Sequence, residues 1–156
     1  NGGDGEDHVT GGTGHDQLNG GNDNDILQGQ GGNDIIIGGN GNDRIEGGSG
    51  HDVFTGGAGN DTFKGGTGAD RYVWELDDLS DGEISYLDLI FDFSTVDILD
   101  LTALGLDDLA DVILSEKNGY TTVSADLDGS LVDIVVLGGV EGLNTNELLS
   151  DGLLLI

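Results

Sequence analysis

The stretch GGNGNDRIE at residues 38–46 is one of eight consecutive nine-residue units that run from Gly2 to Val73. The first position is Gly in every unit, the sixth is Asp and the eighth is apolar. In chain order the units are GGDGEDHVT, GGTGHDQLN, GGNDNDILQ, GQGGNDIII, GGNGNDRIE, GGSGHDVFT, GGAGNDTFK and GGTGADRYV. A fixed short period over so many units is typical of a repeat architecture, in which each unit packs on its neighbours.

The last three residues of each unit follow the pattern x-apolar-x, whose period of two predicts a very short strand with one inward side chain. A single unit cannot bury that side chain, but stacked units can. The glycines at positions 1, 2 and 4 allow positive φ and let the carbonyls turn toward a common centre. A short strand followed by a tight turn reverses direction, so two units form one coil and unit n lies on unit n+2. We therefore predict an all-β fold, a parallel β-roll in the form of a right-handed β-solenoid.

This stacking sorts the sixth-position aspartates into two ladders. One ladder holds Asp7, Asp25, Asp43 and Asp61, and the other holds Asp16, Asp34, Asp52 and Asp70. Carboxylates one strand spacing apart, about 4.8 Å, repel each other unless a cation lies between them. Carboxylate and carbonyl oxygens in an irregular cage favour Ca²⁺ over Zn²⁺ or Mg²⁺. Four rungs leave three gaps in each ladder, so we expect about six Ca²⁺ sites in the roll.

The units match the pattern GGxGxDxUx, and this segment resembles the nonapeptide repeats of the RTX (repeats-in-toxin) proteins. The resemblance implies that each Ca²⁺ is held by two stacked Asp carboxylates and by backbone carbonyls from positions 1 to 4. Carried over to the interior turns, the implied backbone ligands are Gly20, Gly21, Asn22, Asp23, Gly29, Gln30, Gly31, Gly32, Gly38, Gly39, Asn40, Gly41, Gly47, Gly48, Ser49 and Gly50. Two of these depart from the pattern, since Asp23 stands at position 4 and Gln30 at position 2. Asp tolerates the left-handed region better than most residues, so we expect Asp23 to fit with some strain.

The sequence divides into the roll at residues 1–73 and a flank at 74–156, where Gly thins out and Leu, Ile and Val rise. The segments at 86–93, 96–101 and 147–156 resemble the C-terminal region of type I secreted RTX proteins. That resemblance implies a mainly β region that caps the roll and carries an uncleaved export signal. Pattern and turn residues predict the following elements in the flank. They are strands at 72–76, 87–93, 96–101, 112–115, 120–125 and 131–137, turns at Asn118-Gly119 and Asp128-Gly129, a helical turn at 106–110 and a short helix at 145–149.

The charge of the chain restricts its partners. Four basic residues stand against 31 acidic ones, giving a net charge of −27, so nucleic acid and anionic lipid are disfavoured. The flank is the more acidic part, with nineteen acids and one base. These acids fit either a solvated surface or extra Ca²⁺ sites, for which the candidates are Asp88, Asp92, Asp97 and Asp100.

Several classes of site are disfavoured. The chain has no Cys, its terminal apolar stretch at 153–156 is too short to cross a bilayer, and it contains no HExxH, GxSxG or P-loop motif. His15 and His51 fall in units two and six and so are not on adjacent rungs, and we interpret the three histidines, with His8, as exposed turn residues instead of zinc ligands. We expect a monomer without catalytic activity of its own. The start at Asn1 instead of Met favours a piece of a larger protein.

These features favour a Ca²⁺-binding module that folds outside the cell and supports type I secretion of an adhesin or exoenzyme. The expected location is secreted or on the bacterial cell surface. The expected partners are calcium and the type I secretion machinery, with a polysaccharide or a cell surface reached through the parent protein. The alternative is a carbohydrate-binding repeat module like those of alginate epimerases, for which Arg44, Lys64 and Arg71 would supply the basic groups. Tyr72, Trp74, Phe91 and Phe93 fit either a hydrophobic plug over the roll or a sugar-stacking platform.

Overall fold

A computed structural model describes residues 1–75, 87–104, 106, 112–117, 120–127, 130–138 and 154–155. The strands of the roll are β1 Gly3–Asp4, β2 His8–Thr13, β3 Gln17–Asn22, β4 Ile26–Gly31, β5 Ile35–Asn40, β6 Arg44–Ser49, β7 Val53–Ala58, β8 Thr62–Thr67 and β9 Arg71–Val73. The strands after the roll are β10 Asp88–Ile90, β11 Ile98–Asp100, β12 Val112–Lys117, β13 Tyr120–Leu127, β14 Ser130–Gly138 and β15 Leu154–Leu155. A 3₁₀ helix lies at Thr102–Leu104. Within the described residues no helix is long and apolar enough to span a membrane.

Alternate strands of the roll form two facing parallel sheets. One sheet has the order β1-β3-β5-β7-β9-β11-β15, and the other has the order β12-β13-β14-β10-β8-β6-β4-β2. Each roll strand pairs in parallel with the strand two units on, so Leu18 lies beside Ile36 and Phe54 beside Tyr72. The predicted β-solenoid, with unit n on unit n+2, is confirmed.

Strands β2 to β8 of the roll are longer than the sequence pattern predicts. The alternation predicts strands of about three residues, but β5 runs for six, from Ile35 to Asn40. It crosses the unit boundary and includes Gly38 and Gly39, the first two positions of the next unit. Glycine is disfavoured in isolated strands. Here Gly39 pairs with the matching Gly57 on the neighbouring coil, which holds the strand extended past the unit boundary.

Positive φ occurs at positions 2 and 4 of the unit but not at position 1, where the prediction of positive φ is wrong. The two substituted positions keep the same turn, since Asp23 has φ of 75° and Gln30 has φ of 78°. Position 1 is glycine for a different reason, which is space. A Cβ added at Gly20 would lie 2.3 Å from Asp25 Oδ2 and 2.6 Å from the Gly38 carbonyl oxygen.

The eighth-position side chains form the core between the two sheets. From Leu18 onward each of them is buried. They end in an aromatic group in which the Phe54 and Tyr72 rings stack with centroids 5.0 Å apart. Phe63 makes edge contacts with Tyr72 and with Trp74 at centroid distances of 5.7 and 6.2 Å.

The described strands of the flank continue the two sheets of the roll. β10 pairs in parallel with β8 and β11 with β9, so that Ile90 covers Phe63 and Leu99 covers Tyr72. Beyond β10, the sheet turns into an antiparallel meander of β12, β13 and β14, with β14 parallel to β10. The capping β region is therefore present in the fold.

The predicted strands in the flank appear with different ends. The first covers 71–73 instead of 72–76, and the next two shrink to 88–90 and 98–100 because only those residues pair with neighbouring strands. The three meander strands extend to 112–117, 120–127 and 130–138. The two predicted turns, residues 107–110 of the helical turn and the predicted helix at 145–149 lie outside the described residues.

Candidate calcium sites in the aspartate ladders

Each interior aspartate is fixed by the backbone of the rung below it. The amide of Asp25 donates to Asp43 Oδ1 at 2.7 Å, and the amide of Asp43 donates to Asp61 Oδ1 at 2.8 Å. The other ladder repeats this geometry, since the amide of Asp34 donates to Asp52 Oδ1 at 2.8 Å. A carboxylate that accepts a backbone N–H keeps one orientation, so one oxygen of each side chain always points the same way.

The second carboxylate oxygen is buried without a hydrogen-bond partner. This holds for Oδ2 of Asp16, Asp25, Asp34, Asp43 and Asp52. Beside Asp25, this oxygen and the carbonyl oxygen of Gly38 both lie close to the Cα of Gly20, in space that a Cβ would fill. The absence of side chains at position 1 therefore leaves room where carboxylate and carbonyl oxygens meet.

The charges in the ladders call for a cation. Burial raises the pKa of Asp43 and of Asp52, and the neighbouring carboxylates Asp25 and Asp34 raise it further. Burial likewise raises the pKa of Asp70 to about 6. A buried carboxylate is costly unless it is paired with a cation, and oxygen-only ligands fit Ca²⁺. Within the described chain no group of three His, Cys, Asp or Glu side chains could hold a metal ion. Sites here would therefore combine carboxylates with backbone carbonyls.

All eight sixth-position aspartates fall into the two predicted ladders. Six of them are buried, whereas Asp7 and Asp16 at the first coil are partly exposed. Among the predicted backbone ligands, the carbonyls of Gly29, Gly38 and Gly47 approach the glycine one coil below them, next to the buried Oδ2 atoms. The full set of ligands remains a prediction.

The ladders continue beyond the repeats through Asp88 and Asp97. The amide of Asp61 donates to Asp88 Oδ1 at 2.8 Å, and the amide of Asp70 donates to Asp97 Oδ1 at 2.9 Å. Both residues are buried, so the solvated-surface interpretation is wrong for them. A signal was present in the sequence, because the two aspartates are nine residues apart and each precedes a buried apolar residue by two positions. The segments at 87–91 and 92–100 thus continue the aspartate and apolar columns of the repeat, but they contain no glycine.

The outer oxygens of these two aspartates are satisfied by the protein. Trp74 Nε1 donates to Asp88 Oδ2 and the Ser94 amide donates to Asp97 Oδ2, each at 2.8 Å. These rungs therefore differ from an interior rung such as Asp43. Oδ2 of Asp88 and of Asp97 accepts an N–H group, whereas Oδ2 of Asp43 has no hydrogen-bond partner.

The other two acidic candidates have separate partners. Asp92 accepts hydrogen bonds from the amides of Gly65 and Gly66, each at 3.0 Å. Asp100 is buried and pairs with Arg71, whose Nε donates to Asp100 Oδ2 at 2.9 Å. Arg71 is therefore engaged with the flank, on the opposite sheet from Arg44 and Lys64.

All three histidines are exposed, and His15 and His51 lie in turns as predicted, whereas His8 begins strand β2. His15 Nδ1 accepts the amide of Asn33 and His51 Nδ1 accepts the amide of Ala69, each at 2.9 Å. These contacts align the fifth positions of successive coils.

A shallow groove of about 280 Å³ lies on the outer face of the sheet that contains β6 and β8. Its outward side chains include Arg44, Glu46, Lys64 and Phe91, with Lys64 Nζ 2.8 Å from Glu46 Oε1. Phe91 is 52% exposed, so the plug interpretation is wrong for this residue. It is right for Tyr72, Trp74 and Phe93, which are buried in the core.

Comparisons with known proteins agree with this geometry. The family described as RTX calcium-binding nonapeptide repeat (4 copies) matches residues 1–36 and 37–72. No curated protein matches the chain by sequence. The solution structure of the AlgE6R3 subunit of the Azotobacter vinelandii mannuronan C5-epimerase is similar, with a TM-score of 0.62 and 30% identity over 76% of this chain and 72% of that one. The AlgE6R2 subunit of the same enzyme is 30% identical over 94% of this chain and 91% of that one, with a TM-score of 0.49.

Proposed function

Because the chain belongs to the family of RTX calcium-binding nonapeptide repeat proteins, we propose that it is a module that folds on binding Ca²⁺ outside the cell and supports type I secretion of a larger protein. The observation that carries the proposal is the row of buried Oδ2 atoms without hydrogen-bond partners, which lie beside carbonyl oxygens. A chain that buries such a row gains little by folding alone. The stacked carboxylates repel each other, and a cation between the rungs would replace that repulsion with a stabilising contact.

The switch follows from the calcium concentration on the two sides of the membrane. At low Ca²⁺ the ladders repel, and the chain stays unfolded and able to pass through a secretion channel. Extracellular Ca²⁺ sites have Kd values of roughly 10⁻⁴–10⁻³ M, so millimolar Ca²⁺ outside the cell would fill them. The binding free energy then becomes folding free energy. In this proposal the roll takes about six Ca²⁺ as a secreted or surface-attached monomer, and an adhesin or exoenzyme in the same polypeptide supplies any other activity.

Circular dichroism with and without EDTA tests the switch. We expect a disordered spectrum in EDTA and a β-rich spectrum at millimolar Ca²⁺, with Mg²⁺ at the same concentration failing to replace it. A chain that is fully folded in EDTA would refute calcium-triggered folding. Calorimetry on the same samples would then show whether the folded chain still binds the ion.

The second candidate function is binding of an acidic polysaccharide. The groove between β6 and β8 favours it, since Arg44, Lys64 and the exposed ring of Phe91 lie together on one face. Cationic groups pair with uronate carboxylates, and an exposed aromatic ring can stack on a sugar face. The similarity to subunits of an enzyme named for mannuronan suggests mannuronan as the first ligand to try.

A titration of calcium-loaded protein with mannuronan oligosaccharides tests this second candidate. We expect saturable binding that Lys64→Ala and Phe91→Ala each weaken, whereas Thr55→Ala on the opposite sheet does not. A neutral oligosaccharide of equal length is the control for nonspecific contact. Equal binding by all three variants would rule out the groove as the binding site.

A further inference from the structure

A group of oxygen atoms surrounds Gly65, where the last repeat unit meets the flank. A Cβ added at Gly65 would lie 2.4 Å from Asp70 Oδ2 and 2.5 Å from the Tyr72 hydroxyl oxygen. The amide of Gly65 donates to Asp92 Oδ1 at 3.0 Å. Asp97 joins the group from the flank, because its Oδ1 accepts the amide of Asp70.

Tyr72 brings an oxygen to a place where the other coils have carbon. In units six and seven the eighth position is Phe54 and Phe63. A Cβ added at Gly47 would lie 2.6 Å from Phe54 Cζ, and a Cβ added at Gly56 would lie 2.9 Å from Phe63 Cζ. Tyr72 occupies the equivalent place in unit eight and adds a hydroxyl group there. Its side chain is fully buried, with 0% exposure, and the hydroxyl has no hydrogen-bond partner.

The surroundings of that hydroxyl are negative. Burial raises the pKa of Tyr72 far above its usual range, and Asp97, Asp92 and Asp70 raise it further. A phenolic hydroxyl has an ordinary pKa of about 10, so this oxygen is neutral at neutral pH and offers a lone pair to a cation. A buried polar group without a partner is costly, and so is a group of carboxylates without a counter-charge.

We propose that this junction is an additional Ca²⁺ site, bound by Asp70 Oδ2, the Tyr72 hydroxyl oxygen and the Asp92 carboxylate. The site rests on the proposed calcium-binding function but uses two ligands from outside the repeat pattern. Asp92 stands at the position that is glycine in all eight repeat units, so its carboxylate lies where those units offer only backbone. The three groups are hard oxygens in an irregular arrangement, which suits Ca²⁺ better than Mg²⁺ or Zn²⁺. The site ties the flank to the last coil through the ion itself.

Counting bound ions by native mass spectrometry and calorimetry on the full chain tests this site. Tyr72→Phe and Asp92→Asn should each bind one Ca²⁺ fewer than the unsubstituted chain. Phe already occupies the equivalent position in two other units, so the first variant keeps a side chain that this core accepts. Asp133→Asn removes one exposed carboxylate elsewhere in the flank and should leave the count unchanged.

The outcomes separate this site from the function it rests on. A Tyr72→Phe chain with the full ion count and unchanged affinities would overturn the junction site, whatever Asp92→Asn does. The repeat sites would still stand in that case. A starting chain that binds no Ca²⁺ at all would overturn both proposals. Circular dichroism of each variant at saturating Ca²⁺ distinguishes loss of one ion from loss of the fold.

Discussion

The carboxylate of an interior sixth-position aspartate such as Asp43 is held at one oxygen and open at the other. Asp43 shows both halves, because Oδ1 accepts the amide of Asp25 while Oδ2 is buried without a hydrogen-bond partner. The hydrogen bond sets the direction of the side chain before any ion arrives. A ligand with a fixed direction loses less conformational entropy on binding than a free one.

The position of an aspartate in its ladder should determine how much its loss matters. Asp43 has a rung on each side, whereas Asp7 has a rung on one side only and is partly exposed. Asp43→Ala should therefore raise the calcium midpoint for folding more than Asp7→Ala, by roughly tenfold, or about 1.4 kcal/mol. The measurement is a calcium titration followed by circular dichroism. Asp43→Asn, which keeps the size of the side chain, separates loss of charge from loss of packing. Equal midpoints for the two alanine variants would argue against shared carboxylates.

Acid should weaken calcium binding through the same side chains. In the protein alone, burial raises the pKa of Asp70 from 3.8 to about 6. A carboxyl group with a raised pKa in the folded state stabilises the metal-free fold at low pH, and this contribution is lost as the pH rises through about 6. Calcium requires the ionised form and so competes with protons. The calcium midpoint should therefore rise between about pH 7 and about pH 5, and binding at about pH 6 should release protons. Calorimetry in two buffers of different ionisation enthalpy measures that release. A midpoint that stays constant over this range would contradict the prediction.

At the scale of the strand and turn, stacking decides which glycines are needed. Gly12 and Gly48 both stand at position 2, with φ of 116° and 113°. A Cβ on Gly12 would meet nothing within 4 Å, whereas a Cβ on Gly48 would lie 2.1 Å from the Gln30 carbonyl oxygen of the coil below. Any side chain would therefore strain the backbone at both positions, but its Cβ would clash with a neighbouring backbone only at Gly48.

Gly12→Ala and Gly48→Ala form a matched pair for testing this difference. Gly12→Ala should cost about 1–2 kcal/mol from the left-handed backbone alone. Gly48→Ala should cost roughly 3 kcal/mol or more, because the strand must also move away from its neighbour. Urea unfolding at saturating Ca²⁺ measures both. Similar losses would mean that the coils can separate locally without a large cost.

The same elements show what the sequence could predict. The paired sheets and the two ladders follow from three invariant columns, so they could be derived from period and spacing alone. The long strands could not, since Gly-Gly pairs have low strand propensity and extend only because the adjacent coil pairs with them. Asp88 and Asp97 are nine residues apart like neighbouring units, but each follows its ladder partner by 27 residues instead of 18, and the segments around them lack the glycines that mark a unit. The position of the Tyr72 hydroxyl oxygen depends on the orientation of its ring, which no sequence pattern predicts.

Across the whole molecule, the side chains of the core become larger and more buried toward the flank. The eighth-position side chains run from the partly buried Val9 to the fully buried Tyr72, and Ile90 and Leu99 then cover the last coil. Aromatic side chains each bury about 150–250 Å², so the end that carries the aromatic residues holds most of the apolar contact. Solenoids fold by extension from stable neighbours and need their ends covered.

Two truncations test this gradient. A chain ending at Val73 loses the strands that cover Phe63 and Tyr72, and we expect it to remain unfolded at millimolar Ca²⁺. A chain that begins at Gly20 loses only the first two units, and it should still fold. Circular dichroism over a calcium titration compares the two. If the chain ending at Val73 folds with an unchanged midpoint, the flank has no part in folding.

The 18-residue coil also constrains how a gene for such a roll can change length. Duplication of two units adds a whole coil and keeps every side chain on its original sheet. Duplication of one unit still sets each downstream Asp on another Asp, so the ion columns tolerate odd and even insertions alike. The outer surface does not tolerate odd insertions in the same way. Lys64 pairs with Glu46 across a spacing of 18 residues, and one extra unit between them would move Lys64 to the opposite sheet. Lineages can therefore change the number of units freely with respect to calcium, while each odd step exchanges the two faces that the protein presents to its surroundings.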